Sequence, residues 1–325
     1  MKPMNRQSTC FTADVRSIQP GAANPAAGSG PRARQIAERS DELPSCPERT
    51  IAVCVDDFGL NTGVNAAALH LAEMRRVSAL SAMTQAPEWE DGAARARRLD
   101  SRRIDVGLHF NLTQSFGGAP ALGSVQALIA ATRLRLLPKR LVREALLRQL
   151  DAFEEEMFRA PTHVDSHEHV HHLPVISEVV LDVLLKRYGS ALPWVRVSAA
   201  PATSLAGHLR SADERKGWLI DRVVGAEPFR RRARSLGFGA NRRLLGVYGF
   251  DATESGYGSL LRRWLRQARS GDLLMCHPGS AAAGDVISRG RCVEFAVWSD
   301  PHLPDLLREL GVRIALMSVL RTATA

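Results

Sequence analysis

The sequence predicts an α/β protein, a (β/α) TIM-like barrel in a single domain that follows a disordered N-terminal tail. Short β-branched runs alternate with stretches that repeat apolar residues at helical spacing. About eight such runs follow one another after residue 50, and eight parallel strands are enough to close a barrel. Acids and histidines stand at the ends of several runs, where the loops of such a barrel build an active site.

The predicted elements follow in order from residue 50. The first strand, 51–55, is a β-branched run, and the residues after Gly59 repeat apolar side chains at helical spacing. Further strands are predicted at 78–84, 104–110, 162–167, 194–198, 245–250, 272–277 and 312–317. Helices are predicted at 138–157, with proline in the first turn, and from Pro174 to about residue 187. The alternation implies parallel strands joined by right-handed crossovers.

Residues 1–48 differ in composition from the rest of the chain. They are rich in Ala, Pro, Gly, Ser and Arg and have no apolar periodicity. Such a segment buries too little apolar area to offset the entropy lost on ordering. We therefore predict a disordered tail over 1–48, followed by the barrel domain over 49–325, and expect function to survive removal of the tail.

The overall composition is that of a globular protein, with 45% hydrophobic and 24% charged residues. The net charge of +9 is spread over many segments, which favours a general attraction for anions over a nucleic-acid partner. Five cysteines without a C-x-x-C pair are typical of a reducing compartment. No apolar run reaches the ~18 residues of a membrane span, and no hydrophobic stretch follows the basic N-terminus. We expect a cytoplasmic protein without a transmembrane segment.

The densest chemical signal is a run of histidines. Five of the ten histidines lie between residues 163 and 172. Histidine is a scarce residue that proteins use for metal ligation and for proton transfer near neutral pH. In an extended chain His167, His169 and His171 would point to one side, together with Asp165. We therefore expect one or two of these histidines to bind a metal, with Asp165 orienting a ligand histidine.

Other polar residues are placed to meet this run. Asp56 and Asp57 end the first predicted strand, His109 ends the third, His167 the fourth and His277 the seventh. In a parallel barrel all these strand ends face one mouth. A carboxylate and two imidazoles around a divalent ion leave positions open for water and substrate. A second, neighbouring carboxylate can take a proton from the water.

Two further residues are assigned by their context. His277 precedes Pro278 and Gly279, so the imidazole stands at a constrained turn, where it would serve as general acid or stabilise an oxyanion. Asn111 follows the strand that carries His109 and is expected in the substrate pocket or behind the ligands. His169 and His171 are expected to line the pocket or to support His167.

Four ordered motifs resemble those of the YdjC-like carbohydrate deacetylases, of which the chitooligosaccharide deacetylase type is the best understood. They are residues 55–60 (VDDFGL), 107–113 (GLHFNLT), 162–171 (THVDSHEHVH) and 275–279 (MCHPG). The resemblance runs from about residue 50 to the C-terminus. It implies a distorted (β/α) barrel that removes an N-acetyl group from an amino sugar, glycan or glycolipid. It also implies one divalent ion, with Mg²⁺ as the first expectation and Zn²⁺ or another divalent ion as the alternative.

Carried over by position, the resemblance assigns a role to each motif residue. Asp57, His109 and His167 look like the metal ligands, Asp56 looks like the catalytic base, and His277 matches a later family histidine near the site. The expected partner is an N-acetylated amino sugar or glycolipid, and a homodimer is one assembly that the sequence leaves open.

Three other functions stay open. A His-rich metallophosphoesterase would use similar motifs but needs ligands for two or three metals. A NodB-type polysaccharide deacetylase shares the paired acids and two histidines four residues apart, here His167 and His171. A non-enzymatic metal-binding protein would not need the acids and His277 beside the predicted ligands.

Overall fold

The structure, a computed structural model, describes residues 48–199 and 225–319. The predicted tail therefore lies outside the described residues, except for Glu48. The described helices are α1 Thr62–Glu73, α2 Trp89–Ala96, α3 Val125–Arg133, α4 Lys139–Met157, α5 Ile176–Tyr188, α6 Ala226–Ser235, α7 Glu254–Gln267, α8 Ser288–Trp298 and α9 Leu303–Glu309. The described strands are β1 Arg49–Phe58, β2 Ala79–Ala82, β3 Asp105–Phe110, β4 His163–Ser166, β5 Trp194–Val195, β6 Leu244–Leu245, β7 Leu273–Cys276 and β8 Val312–Ile314.

All the described strand pairs are parallel, and β1 lies at the centre of the sheet. The order is β5-β4-β3-β2-β1-β7-β6. β8 pairs with the first residues of β1. In β1 the Ile51 carbonyl accepts from the backbone N–H of Ala315, next to β8. Two residues later the Val53 carbonyl accepts from the backbone N–H of Ser78, next to β2. Since alternate residues of a strand bond to the same side, β8 and β2 share one edge of β1.

Hydrogen bonds also link β5 and the residues after it to the segment that precedes β6, across the gap between the two outer strands. Val195 of β5 donates to the Gly239 carbonyl at 3.0 Å, just before β6. The Asn241 side chain continues the pairing, because its amide accepts from Val197 N at 2.6 Å and donates to Val197 O at 2.8 Å. The side-chain amide of Asn241 thus bonds to both backbone groups of Val197, as a neighbouring strand would.

The predicted fold class is confirmed. Each of the eight predicted strands corresponds to an observed strand, and the predicted long helix is α4. The strand predicted at 245–250 is shorter, because Gly246 has a φ of +95° and ends the extended run. The eighth strand is present, but it lies outside the main strand order and pairs with the first residues of β1.

The core has two parts, separated by the sheet. Side chains on the outer face of the strands pack against the helices, and Val53, Leu80, Leu108 and Leu274 belong to that cluster. Side chains on the inner face form a smaller cluster inside the barrel: Ala52, Cys54, Ala79, Trp194, Leu244, Leu273, Met275 and Met317. This alternation follows from the two-residue period of a strand and fixes which residues can enter the site.

Candidate active site

Strand alternation delivers most of the polar residues of the site to one place. On the inner face Asp56 follows Cys54 by two residues, and His277 follows Met275. His109 stands two residues after Gly107, where a Cβ would lie 2.4 Å from the His163 ring, so glycine leaves room for that side chain. The inner faces of β1, β3 and β7 therefore each bring one reactive side chain to the carboxyl-terminal mouth.

Asp57 reaches the mouth by a different route. Strict alternation would turn its side chain outward, towards the helices. The register between β1 and β2 shifts between Val55 and Phe58, and Asp57 has a φ of +62°. This bulge with a left-handed residue turns the Asp57 carboxylate inward beside Asp56. Two consecutive acids can thus serve one site.

Asp57, His109 and His167 form a group that could hold a divalent ion. Asp57 Oδ1 lies 3.4 Å from His109 Nε2 and 3.1 Å from His167 Nδ1. The three ligand atoms all lie within 4.8 Å of one another. Two imidazoles and one carboxylate on one side of an ion are a common donor set of catalytic metal sites. The residues present therefore fit the cation that the sequence predicts.

His109 is oriented from behind by the predicted Asp165. Its Nδ1 lies 2.6 Å from Asp165 Oδ1, which turns Nε2 towards Asp57. Ser81 donates to the same Asp165 oxygen at 2.5 Å. Burial by itself would lower the pKa of His109, but the nearby carboxylates, Asp165 above all, raise it to about 10. A carboxylate behind a ligand histidine is the usual way to fix which ring nitrogen faces a metal.

Arg196 is a site residue that the sequence reading missed. Its guanidinium is fully buried and binds Asp56 through two contacts of 2.6 Å, and Asp165 at 2.5 Å. Burial would raise the pKa of Asp56, but Arg196 outweighs it and holds that pKa below its usual range. Arg196 lies two residues after Trp194 on the inner face of the barrel, so alternation along β5 was the signal that could have found it.

Arg291 and Glu294 of α8 are two more residues that the sequence reading missed. Arg291 Nη2 lies 2.7 Å from Asp57 Oδ2. Glu294 accepts from the His277 backbone at 2.6 Å and from the Tyr248 hydroxyl at 2.8 Å. Burial raises the pKa of Glu294 to about 7. Both follow the last motif by more than ten residues, so only the fold brings this helix to the mouth.

The site opens into a pocket of about 750 Å³. Its wall includes Asp56, Asp57, His109, His167, His169 and His277, together with Phe250, Met275 and Val286. The pocket therefore combines reactive groups with apolar side chains, as ligand-binding pockets commonly do.

The histidine segment is not the extended run that the sequence suggested. Residues His167–His172 form a 3₁₀ turn, and Glu168 and His169 have φ values of +52° and +58°. The prediction that His167, His169 and His171 share one side is therefore wrong, since a turn does not alternate. His167 and His169 line the pocket, while the His171 ring is buried between Ser166 Oγ at 2.7 Å and the Arg196 carbonyl at 2.8 Å.

Two other predicted residues have well-defined surroundings. His277 Nε2 lies 3.7 Å from Asp56 Oδ2, and burial lowers the pKa of His277 to about 4. The Asn111 side chain accepts from the backbone of Thr113 and Gln114 and donates to the Gln114 carbonyl at 2.7 Å. Asn111 thus shapes the loop whose Thr113 and Gln114 line the pocket.

Comparison with known proteins identifies the family of this chain. The family model for YdjC-like proteins matches residues 50–309, which is most of the chain. This chain belongs to the YdjC-like family. The resemblance read from the four motifs is thereby confirmed.

Curated relatives of this YdjC-like chain are similar over different lengths. A carbohydrate deacetylase of Geobacillus stearothermophilus is 28% identical over 82% of this chain and 96% of its own. A carbohydrate deacetylase of Mus musculus is 31% identical over 48% of this chain and 52% of its own, so the chain matches about half of that relative.

A solved structure has a similar fold. A putative cellobiose-phosphate cleavage protein of Enterococcus faecalis V583 superposes with a TM-score of 0.61 at 16% identity, covering 85% of this chain and all of the other. At that identity the likeness concerns the barrel alone. Within 48–199 and 225–319, no helix is long and apolar enough to cross a membrane.

Proposed function

We propose that this YdjC-like protein is a metal-dependent carbohydrate deacetylase that hydrolyses the N-acetyl group of an amino sugar, glycan or glycolipid. The observation that carries the proposal is the arrangement of Asp57, His109 and His167 as one donor set, with Asp56 and His277 on its flank in an open pocket. Relatives named carbohydrate deacetylase support the substrate class.

The cation would be held by Asp57 Oδ1, His109 Nε2 and His167 Nδ1. A divalent ion there would polarise the acetyl carbonyl and make a water molecule more acidic. Mg²⁺ is the ion that the family resemblance implies, whereas two imidazole ligands are more typical of Zn²⁺. We propose one divalent ion per chain, and activity after chelation and re-addition of each metal identifies it.

Asp56 is proposed as the base that takes the proton from the attacking water. Arg196 keeps its carboxylate ionised at neutral pH, and Asp56 lines the pocket beside His277. The water oxygen bonds to the acetyl carbon, the carbon–nitrogen bond breaks, and acetate and a free amine leave.

His277 is proposed to stabilise the oxyanion or to protonate the departing nitrogen. Because burial lowers its pKa to about 4, the ring is neutral near pH 7 and holds a single proton. Its Nε2 lies 3.7 Å from Asp56 Oδ2, which is longer than a hydrogen bond, so the proton taken by Asp56 would reach His277 through one bridging water. His169, Thr113 and Gln114 are proposed to contact the sugar.

The rival phosphoesterase needs a second cation next to the first. Two further donor groups exist among the described residues, Asp56–His109–Asp165 and Cys54–His163–Asp165. Both use Asp165, whose carboxylate already pairs with the Arg196 guanidinium. Asp165 Oδ1 already faces His109 and accepts from Ser81, and its Oδ2 lies 2.5 Å from Arg196, so neither oxygen is left for a second cation and we favour a single-metal deacetylase.

Acetate release from defined N-acetylated amino sugars and glycolipids, with each divalent metal added back, tests the proposed function. We expect D56N to bind the metal as the parent does while kcat falls by about 10³. D305N, an exposed acid of α9, is the matched control and should retain parental kcat. Undiminished turnover in D56N would overturn the base assignment, and two metals per chain would favour the phosphoesterase.

Two remaining expectations complete the proposal. We propose a cytoplasmic location. We also propose that the protein can form a homodimer, which a measurement of its mass in solution by light scattering tests. Neither affects the chemistry above, because every proposed ligand and catalytic group comes from one chain.

A further inference from the structure

Arg291 lies between the predicted metal ligand Asp57 and the loop that follows β7. Its Nη2 contacts Asp57 Oδ2 at 2.7 Å, and its Nε contacts Asp285 Oδ2 at 2.6 Å. The Arg291 side chain is only 3% exposed. A Cβ at Gly279 would lie 3.1 Å from Arg291 Cδ, so the glycine of the last motif leaves the space that this arginine fills.

The two oxygens of Asp57 have different partners. Oδ1 faces His109 and His167, at 3.4 Å and 3.1 Å. Oδ2 is taken by Arg291. Arg291 therefore leaves Asp57 one oxygen for a cation and neutralises part of its charge.

The contacts of Arg291 leave one of its nitrogens unused. Arg291 Nη1 is buried and has no hydrogen-bond partner among residues 48–199 and 225–319. A buried polar group without a partner destabilises the folded state. The ion pairs with Asp57 and Asp285 offset that effect, so the charge of Arg291 acts on these two carboxylates, one of which is a predicted metal ligand.

We propose that Arg291 is a positioning residue that restricts Asp57 to a single cation-facing oxygen and weakens its attraction for the cation. This inference rests on the proposed function. A carboxylate that is half neutralised binds a divalent ion less tightly, and more of the ion's charge then acts on the acetyl carbonyl. The site would thus give up affinity for the metal in exchange for reactivity.

Calorimetric titration with Zn²⁺ and with Mg²⁺ tests the inference in four variants. R291M and R291Q remove the charge, R291K keeps it, and R289M removes an exposed arginine of the same helix as the matched control. We expect R291M and R291Q to bind the cation about tenfold more tightly. R291K should bind as the parent does, because the charge remains, and R289M should match the parent in every measurement.

Kinetics with an N-acetylated amino sugar separate this role from a structural one. We expect kcat of R291M and R291Q to fall about tenfold while KM stays within twofold, and R291K to recover part of the loss. Weaker or unchanged cation binding in both neutral variants would overturn the inference. If R291M does not fold, R291Q and R291K give the same comparison.

The cation titration needs no substrate, so the two proposals can fail separately. The expected affinity order without acetate release by any variant, parent included, would support the role of Arg291 and overturn the deacetylase. Acetate release with the same cation affinity in parent, R291Q and R291M would support the deacetylase and overturn the role of Arg291.

Discussion

His109 stands between two buried carboxylates that differ in what surrounds them. On the barrel side, Asp165 lies 2.6 Å from Nδ1, and Ser81 and Arg196 occupy its oxygens. On the mouth side, Asp57 lies 3.4 Å from Nε2 and shares one oxygen with His167. The inner carboxylate is fixed by neighbours that surround it, whereas the outer one keeps an oxygen turned to the pocket. One histidine thus joins a structural half of the site to a reactive half.

The largest effect is expected from breaking the inner half. R196M would leave the buried carboxylates of Asp56 and Asp165 without the guanidinium that pairs with both. Loss of one partner of a buried ion pair costs roughly 3–5 kcal/mol, so the free energy of unfolding should fall by about that amount and activity should disappear. Urea denaturation measures the loss.

R308M is the control for this prediction. It removes the same charge from an exposed pair with Asp305, which contributes at most about 1 kcal/mol. Equal stability of R196M and the parent would mean that the inner carboxylates do not depend on Arg196.

A second prediction concerns the support of His277 by Glu294. Burial raises the pKa of Glu294 to about 7, above its ordinary value in an unfolded chain. The folded state therefore binds this proton more tightly, so its contribution to stability is complete below about pH 4.5 and is lost as the pH rises through about 7. E294Q carries no such proton. Between pH 5 and 8 the parent should lose on the order of 3 kcal/mol relative to E294Q.

Unfolding by urea at several pH values checks this difference. E309Q, at an exposed ion pair with Arg262, should retain the pH dependence of the parent. The same pH slope in E294Q and the parent would contradict a raised pKa at Glu294.

The smallest effect is expected at His109 Nε2, on the side of the site that faces the pocket. The carboxylates around His109, Asp165 above all, raise its pKa to about 10 despite burial, so below that pH a proton and a cation compete for Nε2. Cation binding should release about one proton, and the affinity should rise up to tenfold per pH unit between pH 6 and 8. Calorimetry in two buffers of different ionisation enthalpy counts the proton. H302A, which removes an exposed histidine, is the control and should release as many protons as the parent. Cation binding without proton release would mean that His109 Nε2 is not a ligand.

Much of the fold and of the candidate site follows from local sequence. The β-branched runs predicted all eight strands, because period-two alternation and turn residues are local signals. Placing polar residues at strand ends predicted that Asp57, His109 and His167 would meet, since parallel strands end on one face. Their roles as ligands, and those of Asp56 and His277 as catalysts, stay predictions.

The errors have two causes. The histidine segment was read as extended, yet Glu168 and His169 adopt left-handed conformations that place the chain in a turn. Left-handed backbone at a residue other than glycine carries no reliable local signal. Arg196 and Arg291 were missed because neither belongs to a motif, and each acquires its meaning from a carboxylate more than a hundred residues away.

The sequence by itself determined the strand–helix alternation, the inner and outer faces of the barrel and the family, because these depend on periodicity and on ordered motifs. Only the tertiary structure decided how the charges are balanced. It placed Arg196 against Asp56 and Asp165, and Arg291 against Asp57. Electrostatic energies depend on distance and burial, which strand pairing sets and which no local pattern records.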